Sequence, residues 1–254
     1  MKKSLLALAA LTAFAGAASA QSSVTLFGIV DAGIARLSAG GKSVTGMTNS
    51  GYNSSRLGFR GVEDMGGGLK AGFWIEGQLT NDDGNAAGMN WQRRSTVSLM
   101  GGFGEIRLGR DYTPTFWNLT VYDPWGTNGI GQAASIALLP GNQATAVRSN
   151  NAISYFLPAM GGFQGQVMYA FGENVSGGAK TNNYLGFRFG YAAGPVSVHA
   201  AYGKVEGATD AADVKDMNVA GSFDAGVLKA SLVYAQEKNG AGAKAMGGRC
   251  CSWR

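Results

Sequence analysis

The body of this chain lacks cysteine. Of its 254 residues the only two are Cys250 and Cys251, adjacent and close to the end. An adjacent pair suits neither a disulfide staple nor a zinc site, so the body depends on neither. Histidine is nearly missing as well, with His199 alone and no patterned acid or nucleophile beside it, which disfavours a Ser–His hydrolase. Five prolines are too few for a disordered linker. After residue 20 no apolar run is long enough for a membrane-spanning helix. Net charge is small too: with Lys2, Lys3, Arg249 and Arg254 set aside, seventeen basic residues face sixteen acidic ones. A nucleic-acid binder needs a basic patch that displaces counterions, so that class of partner is excluded. No glycine motif for phosphate is present, and Asn81-Asp82-Asp83-Gly84-Asn85 lacks the spaced bidentate Glu of a calcium loop. No cofactor, metal ligand set or catalytic residue is expected, and the chain does not read as an enzyme.

What is present begins with an export signal. Lys2 and Lys3 precede the apolar core Leu5 to Ala15, and Ala18-Ser19-Ala20 supplies a small-residue cleavage pattern, so residues 1–20 read as a signal peptide. Beyond it, forty-one glycines without a Gly-X-Y period punctuate alternating apolar and polar residues. In 183–191, Leu185, Phe187, Phe189 and Tyr191 share one face, opposed by Tyr184, Gly186, Arg188 and Gly190. Period two is the strand period. The same reading applies to 24–37, 54–63, 68–79, 91–100, 104–111, 148–158, 163–171, 195–204, 215–223 and 226–236. Short glycine turns alternate with long polar loops, and aromatics collect at both strand ends. Together these predict an all-β fold, a transmembrane antiparallel up-and-down β-barrel, because a closed barrel satisfies every backbone group in lipid. Its partner is then outer-membrane lipid.

Strand alternation also places the charges. Arg56 and Arg60 lie opposite Leu57 and Phe59, Arg94 lies with Thr96 and Ser98, and Arg148 lies with Asn150 and Ser154. Arg107 and Arg188 fall on polar faces, with Glu76 and Glu105 as candidate wall partners. Arg110 aims outward unless a bulge turns it. The loop 112–147 is the longest, and its Tyr112, Phe116, Trp117, Tyr122 and Trp125 give it surface to pack against something. Asp111 and Asp123 are the only acids between Arg110 and Arg148. A lumen with several guanidinium groups and few counter-charges is expected to favour anions weakly to moderately.

The chain resembles the general trimeric porins of Gram-negative bacteria, of the β-proteobacterial type. The likeness rests on Ser23-Val24-Thr25-Leu26-Phe27-Gly28, on Ser55 to Asp64 (SRLGFRGVED), on Leu108-Gly109-Arg110-Asp111-Tyr112 and on Asn151-Ala152-Ile153-Ser154-Tyr155. It implies a 16-stranded barrel, a homotrimer at full length, and a third loop folded into the lumen. By motif position it also implies that Arg56, Arg94 and Arg148 form an arginine ladder facing acidic groups of that loop, for which Asp123 is the candidate. The implied function is a diffusion porin for ions and small hydrophilic solutes. A non-transporting surface β-protein and an inactive porin fragment are the alternatives. Eleven strands cannot complete such a barrel, and 246–254 reads as an anomalous tail after a barrel region 21–245. The sequence therefore reads as C-terminally truncated or frame-shifted, lacking about five strands at its own strand spacing, and is expected to misassemble as written.

Overall fold

The computed structural model describes residues 23–84, 90–129, 131–134, 147–173, 178 and 181–253, with backbone alone for 248–253. The signal peptide at 1–20, the tip of the 80–90 loop and much of the 112–147 loop lie outside the described residues. The elements are β1 (Ser23–Ile29), β2 (Ala32–Ala39), β3 (Lys42–Asn49), β4 (Arg56–Gly66), β5 (Leu69–Gln78), β6 (Arg94–Gly101), β7 (Gly104–Tyr112), α1 (Pro114–Tyr122), β8 (Arg148–Phe156), β9 (Phe163–Ala170), β10 (Tyr184–Ala193), β11 (Val196–Val205), β12 (Val214–Asp224), β13 (Leu228–Asn239) and β14 (Lys244–Trp253).

Twelve of these strands make one antiparallel sheet in the order β1-β4-β5-β6-β7-β8-β9-β10-β11-β12-β13-β14, and β2 and β3 form a separate hairpin. Chain neighbours are sheet neighbours almost throughout, as an up-and-down meander requires. The sheet is inside-out by the standard of a water-soluble protein. Val97, Leu185 and Leu232 are 58%, 52% and 63% exposed, while Asn218 and His199 on the other face are 0% and 1% exposed. The apolar face is therefore the lipid face, and the polar face encloses the interior. No described helix is long and apolar enough to cross a membrane, a fact that does not bear on strands. Aromatic contacts mark both strand ends: Phe163 meets Tyr191 at 5.1 Å near the short turns, and Tyr169 meets Phe171 at 5.0 Å near the long loops. Such pairs sit where the apolar band meets headgroups.

Two differences from the alternation reading have local causes. The stretch 24–37 is not one strand. It breaks at Val30 and Asp31 because the Asp31 carboxylate accepts the backbone N–H groups of Gly51, Tyr52 and Asn53 at 3.0, 2.9 and 2.6 Å. The chain after the break pairs with β3 instead of β4. The regular pattern read as ending near Ala245 also continues, since β14 pairs with β13 from Lys238↔Lys244 to Leu228↔Trp253. Backbone pairing needs no side-chain alternation, so a stretch holding Gly247, Gly248 and two cysteines extends the sheet while hiding the strand period. The short connection at Gly240 to Ala243, with Gly242 at φ 93°, turns the chain back. In the short turn between β4 and β5, Gly66, Gly67 and Gly68 all take positive φ, the region that only glycine enters without strain.

Candidate pore constriction

The long loop folds inward through α1. Thr113 caps it, its Oγ1 accepting the Phe116 N–H at 3.3 Å, and Pro114 starts the first turn where its missing N–H costs nothing. One side of α1 packs Phe116, Leu119 and Tyr122 onto Ala220, Val233 and Ala235 on the inner face of β12 and β13. Polar pegs fix its position. Asn118 donates from Nδ2 to Asn218 Oδ1 at 2.7 Å and accepts from Arg188 Nε at 2.8 Å through its own Oδ1. Asn218 donates to the Thr115 carbonyl at 3.1 Å. The Tyr122 hydroxyl lies 2.5 Å from both Ser197 Oγ and His199 Nδ1, and His199 Nε2 lies 3.1 Å from Gln164 Oε1. The lone histidine is thus a wall peg, with both ring nitrogens engaged.

The rest of the interior is lined by guanidinium groups. Glu76 on β5 is their hub: Arg93 Nε stands 2.6 Å and Arg56 Nε 3.9 Å from its Oε1, and the Trp74 indole donates to its Oε2 at 3.1 Å. Arg148 donates to the Tyr112 hydroxyl at 2.8 Å and lies 4.4 Å over that ring, while its Nε is buried without a partner among the described residues. A second cluster follows. Arg94 Nε is 3.6 Å from Asp111, and Arg107 reaches Asp111 at 2.6 Å and Glu105 at 2.8 Å. Between α1 and the β4–β6 wall lies a cavity of about 620 Å³, lined among others by Arg56, Arg93, Arg148, Glu76, Trp117 and Gln132. Three fixed positive groups and one carboxylate border it, and the Tyr112 ring supports the guanidinium plane of Arg148.

Comparison with known proteins agrees with this architecture. The Gram-negative porin family profile matches residues 7–248. The chain belongs to the Gram-negative porins. It is 47% identical to outer membrane porin protein 32 of Delftia acidovorans over 94% of this chain and 70% of that protein. An outer membrane porin protein of Bordetella pertussis is 34% identical, with 94% and 70% covered. Among solved structures, the anion-selective porin from Comamonas acidovorans superposes with a TM-score of 0.78 at 41% identity, over 91% of this chain and 73% of that one. This porin is accordingly a diffusion porin of the bacterial outer membrane.

Within the porin lumen the residues singled out from sequence fall into three groups. Arg56, Arg148 and Glu76 border the cavity beside α1. Arg94, Arg107, Glu105 and Arg60 line a second hollow of about 390 Å³. Arg188 is engaged beneath α1, where it holds Asn118. Asp123 stands apart from the expected loop counter-charge. Its carboxylate caps the loop's own backbone, accepting from Trp125, Thr127 and Ala133 at 3.1, 3.0 and 2.7 Å. Asp111, at the base of the loop, is the acid that meets wall arginines. Arg110 follows strict alternation and bonds the Gln92 carbonyl and Asn150 Oδ1. The register irregularity falls opposite, on β8, where Asn151 takes φ 51°.

Arg93 was not legible in the pattern. Alternation through 91–100 sends it outward with Ser95 and Val97, yet it is buried against Glu76. Regular pairing of β6 begins only at Arg94, and the Arg93 N–H bonds the Glu76 carbonyl at 3.1 Å just before it. A residue outside the regular strand need not keep the strand's parity.

Proposed function

We propose that this porin prefers anions, that its selectivity is set where Arg56, Arg93 and Arg148 face the loop across the constriction cavity, and that it acts in a homotrimer without covalent chemistry. The observation that carries the reading is the lining of that cavity, three guanidinium groups against the single carboxylate of Glu76. Guanidinium stays charged at any physiological pH, so the field is permanent. In a narrow passage with low-dielectric walls that imbalance raises the local concentration of anions. Likeness to the Comamonas acidovorans porin, which is anion-selective, supports the same sign. Arg94 and Arg107 extend the positive track inward, each tempered by Asp111. Asp123 contributes by holding the loop in shape.

Swelling of proteoliposomes tests this reading. A small organic anion is expected to enter faster than a cation of the same size. Faster entry of the cation would overturn the anion preference, and no swelling by a folded protein would favour a non-transporting surface protein.

A further inference from the structure

Under α1 the inner wall buries two carboxylates side by side. Asp216 of β12 stands in register with Glu237 of β13, and the two are 6% and 0% exposed. Residues directly opposite on neighbouring strands stand roughly 5 Å apart at Cβ. On its other flank Asp216 pairs with Gly203 of β11, and Gly203 pairs with Gly186 of β10. A side chain at either glycine would strike the Tyr184 ring, so the two glycines let that ring lie along the wall with its hydroxyl end beside Asp216. α1 covers the site from the lumen. Thr113 and Thr115 are buried there, and the Asn218 amide, two residues along β12 from Asp216, donates to the Thr115 carbonyl at 3.1 Å. The Thr115 hydroxyl stands next to Asp216. Even so, neither Asp216 oxygen has a hydrogen-bond partner among the described residues.

No lysine or arginine ion-pairs with Asp216 among the described residues. Lys204, Lys215, Lys238 and Lys244 alternate onto the opposite face, in register with one another and with Leu185. Arg188 of β10 is given to Asn118, and His199 of β11 to Tyr122 and Gln164. Arg249 of β14 stands opposite Val233, four residues along β13 from Glu237. Asp213, just outside β12, is bound to Lys204, and α1 carries no charged residue. An ionised carboxylate can only accept hydrogen bonds, and buried without donors it is far costlier than the neutral acid. A carboxylate on the next strand raises that cost further. We propose that Asp216 keeps a proton in the conducting porin, gives this O–H to the Thr115 hydroxyl, and is thereby a positioning residue for the constriction loop. This rests on the reading above that the loop narrows the pore, and on nothing in the pore's ion preference. Removal of the proton leaves two like charges beneath α1 and loosens its N-terminal end from the wall, while Asn118 and the apolar side of the helix still hold the rest.

Infrared spectroscopy and single-channel recording of the folded porin over a pH series test the assignment. Ordinary aspartates are ionised at about pH 7. A protonated-carboxyl band that shifts on isotope labelling of aspartate is nonetheless expected there, and is expected to be missing from Asp216→Asn. Current noise in the wild type is expected to rise about tenfold between about pH 6 and about pH 9, the population change that one lost buried hydrogen bond brings. In Asp216→Asn, whose amide is a neutral donor of the same shape, noise is expected to stay low and flat across that range. A residue that merely filled space would give no such pH profile. If Asp216→Asn fails to fold by circular dichroism, the wild type decides alone: the aspartate band fades in step with the rise in noise. Absence of the band at neutral pH, noise that ignores pH in the wild type, or an equal rise in Asp216→Asn would overturn the assignment. A cation-preferring reversal potential in a porin that shows the band would overturn the anion preference alone.

Discussion

Single residues in this porin do work that their type alone does not announce. Asp31 is the clearest case outside the membrane span. Backbone N–H groups from Asn53, then Tyr52, hold its carboxyl below the usual aspartate range, partly opposed by desolvation, with Gly51 adding to the effect. A carboxylate with a lowered folded pKa contributes stability above its unfolded value, near 3.9, and loses it as pH falls through the folded value. The base of the β2–β3 hairpin is therefore expected to loosen only below about pH 4. Hydrogen exchange at Gly51, Tyr52 and Asn53 checks this: protection should fall on acidification in the wild type and already be low at neutral pH in Asp31→Ala. Unchanged protection in Asp31→Ala would show that the hairpin base is held by other contacts.

At the scale of elements, strands and loop differ in how far they can be read from sequence. A strand in a barrel wall has one face in lipid and one on the interior, so Leu185, Phe187 and Phe189 against Arg188 announce their orientation with nothing else known. That rule delivered the short turns, the aromatic ends and the inward placement of Arg56, Arg60, Arg94 and Arg188. It failed where pairing stops being regular: at Asp31, where a side chain takes over backbone donors, and at Arg93, just outside β6. It also failed at β14, whose pairing is by backbone. The position of α1 was legible only as a tendency, since five aromatics in a loop say that it packs and not against what. The pegs that decide it are long-range, Asn118 to Asn218 and Arg188, and Tyr122 to Ser197 and His199. Asn118→Ala strands the Asn218 amide and the Arg188 guanidinium, a loss of about 1–3 kcal/mol at the loop's attachment. Single-channel recordings are expected to show larger current noise in Asn118→Ala, with Arg56, Arg93 and Arg148 untouched. Noise equal to wild type would show that apolar packing of Phe116, Leu119 and Tyr122 alone holds the helix.

For the whole molecule, the sheet is one continuous meander whose apolar surface faces out and whose charges face in, the reverse of a soluble core. This inversion converts a list of alternating residues into a channel: the polar positions of successive strands become neighbours across the sheet, so Arg56, Glu76 and Arg93, distant in sequence, form one cluster. Asp123 shows the complementary lesson. Its place in the loop suggested a counter-charge, but a carboxylate at the end of a helix, with three unpaired N–H groups within reach, is used to shape the turn that follows. The consequence for permeation is an interior with more fixed positive than negative charge around the cavity beside α1.

The most direct test of that consequence is the reversal potential of the reconstituted porin in a planar bilayer under a steep KCl gradient. The wall arginines predict the sign of a chloride-preferring channel, with the value moving toward zero when Arg56 and Arg148 are both replaced by glutamine. A potassium-preferring sign in the unaltered protein would contradict the account.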